Sequence, residues 1–178
     1  MNSKLLYRIG IVAMSAMLAM AIYLGLLFYP VLIESASIDV DVVFRALFPF
    51  ISMFVAPIIG LVLYIRKKLV GLTLCAGYAI FMTAASIFSI GISEFNVANV
   101  LTFILYLASA VIYLLPQLRF SFDPDSSPVD NAVNSAMWAV LLSFIVIGPV
   151  LLPARYLGMI VGLVVLLLVL RGFVEMKK

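Results

Sequence analysis

The sequence predicts an all-α integral membrane bundle of six transmembrane helices with both termini on the cytoplasmic side, and three observations lead there. Of the 178 residues 66% are apolar and only 11% are charged, against roughly a quarter charged in an ordinary soluble domain. The apolar residues gather into runs long enough to cross a hydrocarbon core about 30 Å thick. The charges sit between those runs, with nine of the eleven basic residues on alternate connections, as the positive-inside rule requires. The chain reads as a single polytopic domain, 1–178, with spans near 9–29, 46–65, 69–92, 97–115, 132–152 and 156–174.

The first run follows Lys4 and Arg8 and is longer than the roughly 7–15 residues of a signal-peptide core, so an anchor helix that stays in place is expected. Met14, Met17 and Met20 recur beside Ala13, Ala16 and Ala19, giving a soft, small face suited to helix packing. Residues 30–45 then turn polar, with Glu34, Asp39 and Asp41. The brief alternation of Ile38, Val40 and Val42 has no partner strand, which favours an interfacial turn.

In the second run Pro57 has no N–H to offer the carbonyl of Met53, so a kink is expected, and Ser52, another helix or water must supply the missing donor. The basic turn Arg66, Lys67 and Lys68 marks a cytoplasmic end and offers positive charge to anionic lipid head groups.

The third and fourth runs, joined at Ser93, Glu94, Phe95 and Asn96, form the stretch around which the rest is organised. At 100° per residue Asn99, Thr102, Tyr106, Ser109 and Tyr113 fall within about 80° on one face. The third run carries Gly71, Cys75, Ala79, Met82, Ser86, Ser89 and Ser93 in a sector of similar width, small enough to admit a neighbouring helix. A hydroxyl facing lipid tails has no partner, so both stripes are expected to turn inward, toward each other or a shared cavity.

Asp123, Asp125 and Asp130 are spaced like a calcium loop but lack its turn glycine and closing glutamate. Ser127, Pro128, Val129 and Asp130 read instead as a helix start, with serine as the cap and proline in the first helical position. The fifth run carries Asn134, whose amide wants partners, and Trp138, an interfacial anchor. The sixth lies between Arg155 and Arg171, and Ala154, Gly158 and Gly162 recur at the four-residue spacing that lets helix backbones touch.

With the amino terminus inside, Lys4, Arg8, Arg66, Lys67, Lys68, Arg119, Arg171, Lys177 and Lys178 are cytoplasmic and only Arg45 and Arg155 lie outside. Tyr7, Tyr64 and Tyr113 then share the inner interface.

Histidine is absent and Cys75 is the only cysteine, which removes the usual ligands of haem, iron–sulfur, zinc and copper centres, and no cofactor or metal is expected. The spans hold no ionisable residue away from their ends, so proton pumping and enzymatic chemistry are not expected either. Nothing points to nucleic acid. Two readings remain. One is an accessory or scaffold subunit that docks other membrane subunits through Ala154, Gly158 and Gly162 and meets lipid head groups through Arg66, Lys67 and Lys68. The other is a binding protein or transporter component for a small or amphipathic solute, lined by Asn99, Thr102, Tyr106, Ser109, Ser86 and Asn134. In size and six-span layout alone the chain is similar to the substrate-binding subunits of energy-coupling-factor vitamin transporters.

Overall fold

The computed structural model describes residues 3–36, 40–92, 97–125 and 127–151, and every regular element among them is a helix. In chain order these are α1 (Ser3–Ala36), α2 (Val40–Ile65), α3 (Leu69–Ile92), α4 (Val97–Leu114), the single turn α5 (Pro116–Arg119) and α6 (Pro128–Leu151). The connection at 93–96 and the run 156–174, with Ala154, Gly158 and Gly162, lie outside the described residues.

Among the described residues two segments are long and apolar enough to cross a membrane, Lys4–Leu26 with 23 residues and Leu69–Ile87 with 19, while Met53–Ile65 and Asn99–Leu114 are apolar but shorter. The polar turn expected over 30–45 is much reduced. Helix α1 continues through Pro30 to Ala36, and α2 already begins at Val40. Proline costs one backbone donor, and Leu32, Glu34 and Ala36 are good helix formers that carry the next turn onward.

Helix α3 is the hub. It packs against α2, α4 and α6, while α1 lies along α2 and α4. Residues 71–79 are buried at every position, so here α3 presents no outward face. Helix α6 comes so close that a Cβ added to Gly77 would lie 2.4 Å from Trp138 Cβ and 2.7 Å from the Ser135 carbonyl oxygen. A hydrogen at this position is what allows the two backbones to touch.

The end of α2 leaves none of its last carbonyls unpaired. Arg66 N donates to Val62 O at 3.1 Å, Lys68 N to Leu63 O at 3.0 Å and Lys67 N to Tyr64 O at 2.9 Å, and the hydroxyl of Tyr7 donates to Ile65 O at 3.0 Å. The two lysine bonds form a Schellman motif, whose left-handed position glycine usually fills. Lys67 occupies it, with φ of 54°, a conformation that costs a side-chain-bearing residue about 1–2 kcal/mol. At the start of α6 the reading of Ser127 as a cap holds, because its hydroxyl accepts the Val129 N–H at 3.1 Å.

On α4 and α6 the described outward positions are apolar apart from Asp130. On α4 they are Val97, Leu101, Ile104, Leu107 and Val111, and on α6 Val129, Val133, Met137, Val140 and Phe144. Both sets recur every three or four residues, which is one face of a helix. Many polar groups point the other way: Thr73, Ser109, Arg119, Asn131 and Ser135 are buried, together with Tyr64, Tyr78, Tyr106 and Tyr113.

Candidate functional site

The polar stripe of α4 faces α1 and α3. Tyr113 donates its hydroxyl to Gly10 O on α1, Thr102 Oγ1 lies 4.0 Å from Met20 Sδ on the same helix, and Tyr106 meets the ring of Tyr78 on α3 edge-on, with centroids 6.5 Å apart. Ser109 is buried and donates to Leu105 O at 2.7 Å. Asn99 is half-buried.

Short hydroxyls are engaged locally. Ser86 donates to Met82 O at 2.8 Å, Thr83 to Ala79 O at 2.7 Å and Ser143 to Ala139 O at 2.8 Å, each four residues back on its own helix. This bond is available to any serine or threonine in a helix and removes the need for a partner across the seam. On the α3 stripe, Gly71 lies against the backbone of Leu63 and Tyr64, and Cys75 Sγ faces Gly60, so both take part in the α2 contact. Asn134 is half-buried on α6, which packs on α3 and α2 and scarcely on α4, and it is not gathered with Thr102, Tyr106 and Ser109.

The tyrosines do what the serines do not. Tyr78 donates to Met53 O at 3.2 Å, the carbonyl that Pro57 leaves without a helical donor. Tyr64 donates to Tyr7 O at 3.3 Å while Tyr7 donates to Ile65 O, so α1 and α2 are tied reciprocally. These rings form one cluster. Tyr7 and Tyr64 stack at 5.2 Å, Tyr113 meets Tyr64 edge-on at 5.7 Å, and Phe122 packs 4.9 Å from Tyr64. Gly10 makes room, since a Cβ there would lie 2.1 Å from the Tyr64 hydroxyl oxygen.

The Tyr106 hydroxyl, on a fully buried residue, has no hydrogen-bond partner among the described residues, and neither has Asn131 Oδ1, although Asn131 Nδ2 donates to Tyr113 O at 3.3 Å. Asn131, not Asn134, is the buried amide of α6. It shares one face of α6 with Ser135 and Ala139, at offsets of four and eight, and those two residues meet Gly77 of α3. Arg119, counted in the sequence with the loop charges, is 1% exposed. Arg66, Lys67 and Lys68 are all exposed.

Comparison of the chain with protein-family models, with curated proteins and with solved structures finds no match.

Proposed function

We propose that this chain is a six-span membrane protein with both termini cytoplasmic, and that it serves without catalysis as an accessory or scaffold subunit of a larger membrane complex. The observation that carries the membrane reading is the apolar outward face on α4 and α6. In water such faces would be an aggregation hazard, whereas in lipid tails they cost nothing. The positive-inside distribution supports the orientation.

The scaffold role is supported by what the buried polar groups do. Among the described residues Tyr7, Tyr64, Tyr78, Tyr113, Ser86, Ser109, Ser135 and Ser143 donate to backbone carbonyls, which fixes helix positions. Ala154, Gly158 and Gly162 are the proposed docking edge for partner helices. A solute-binding role is the second reading, and the unpartnered Tyr106 hydroxyl favours it.

Mild-detergent purification followed by mass spectrometry separates the two. Co-purifying subunits that are lost on Gly158→Leu with Gly162→Leu support the scaffold reading. A lone chain carrying a small molecule refutes it. Cysteine labelling at the termini and at Glu94 tests the orientation, and a terminus labelled from outside overturns it.

A further inference from the structure

We propose that the end of the bundle where α1 begins and α2 turns into α3 is a composite site for the head group of an anionic phospholipid, an inference that rests on the membrane-spanning reading above. Two chain-distant basic segments meet there. The Tyr7 hydroxyl donates to Ile65 O at 3.0 Å, and Lys67 Nζ stands 5.6 Å from the centre of the Tyr7 ring. This contact sets Arg66, Lys67 and Lys68 beside Lys4 and Arg8, which flank Tyr7 within one turn of α1, and all five side chains are exposed.

Apolar surface continues directly beneath the charge. Leu5 is 51% exposed, Ile65 52% and Val70 43%, so one molecule with an anionic head and acyl tails would meet cations and hydrocarbon in the right order. Phe122 packs on Tyr7 and Tyr64 and brings Asp123 to the same end, yet the five cations outweigh it. The backbone supplies a second, independent reason. Lys67 holds the left-handed position of the Schellman motif, where glycine would sit without steric cost. Strain kept at a charged, exposed residue that packs on an aromatic ring points to a use for that charge.

The test uses the full chain in bilayers of phosphatidylcholine and phosphatidylglycerol, with the lipids that stay bound after release read by native mass spectrometry. Phosphatidylglycerol should be enriched over its bulk fraction. Each cation replaced should lower that enrichment about fivefold at low ionic strength. Lys4→Gln with Arg8→Gln should act as strongly per charge as Arg66→Gln with Lys68→Gln, although the two pairs are far apart in sequence. Lys67→Gly is the separating variant: enrichment should fall while the melting temperature rises, an outcome that a folding defect cannot produce.

An embedded chain without phosphatidylglycerol enrichment overturns the proposal, as does enrichment that survives these substitutions. So does displacement by inorganic phosphate, which would assign the site to a free anion. A chain stripped from either bilayer by alkaline carbonate would instead sink the membrane reading itself.

Discussion

The clearest quantitative test is the bond between Tyr78 and α2. Pro57 cannot donate to Met53 O, and Tyr78 supplies the missing hydrogen bond from α3 at 3.2 Å. Tyr78→Phe keeps the ring, its edge contact with Tyr106 and its burial, and removes only the hydroxyl. The Met53 carbonyl is then left without a donor in an apolar setting, at a cost of about 1–3 kcal/mol. Pro57→Ala changes the arithmetic, because an ordinary amide four residues on restores the helical bond to Met53 O. In that background Tyr78→Phe should cost no more than about 1 kcal/mol, giving a coupling between the two sites of roughly 1–2 kcal/mol. Reversible unfolding of the four proteins in mixed dodecyl maltoside and dodecyl sulfate micelles measures the cycle. If the two substitutions add to within about 0.5 kcal/mol, the hydroxyl does not serve the carbonyl that the proline frees, and the reasoning fails.

Two further outcomes are expected. Gly77→Leu should cost about 3 kcal/mol or more, since the new side chain meets α6 backbone at Ser135 and must push the helices apart; thermal unfolding in detergent that shifts by only a degree or two would contradict the close α3–α6 contact. Tyr106→Phe should leave stability unchanged or raise it by up to about 2 kcal/mol, because a buried hydroxyl without a partner is already a cost. A loss above about 1 kcal/mol in the same assay would reveal a partner for that oxygen and strengthen the solute-binding reading.

Much of this was legible in the sequence, and what was not has a physical cause. That Met53 would need a foreign donor followed from Pro57 alone, but which helix would provide it is a question of tertiary position. That Tyr7, Tyr64 and Tyr113 lie toward one end of the bundle followed from their places in the apolar runs, and the structure joins all three rings. Periodicity says which residues of α3 share a face and not which neighbour covers each of them. Over 71–79, where α3 is buried all round, Gly71 and Cys75 meet α2 while Gly77 meets α6. Arg119 was beyond reach for a different reason. The short turn that starts at Pro116 folds Leu118 and Arg119 inward, and a four-residue helix leaves no periodic signal.

A polar stripe on an apolar helix is therefore weak grounds for a pore or a ligand site, and side-chain length explains why. Serine and threonine are short, and here Ser86, Ser109, Ser135 and Ser143 all return to the carbonyl four residues back, while Thr102 reaches across only to the Met20 sulfur at 4.0 Å. A phenol reaches across the gap between helices, so the tyrosines bond to carbonyls 25, 57, 58 and 103 residues away. Lipid tails give helices no hydrophobic reason to choose one another, and in the reading proposed here those long bonds, with the glycine contacts, set the arrangement. Both kinds of bond then serve the arrangement of the helices. Among the described buried tyrosines Tyr106 breaks the division, because it has the length to reach a carbonyl and bonds to none of those described. Its hydroxyl is accordingly the atom at which the scaffold and solute-binding readings part.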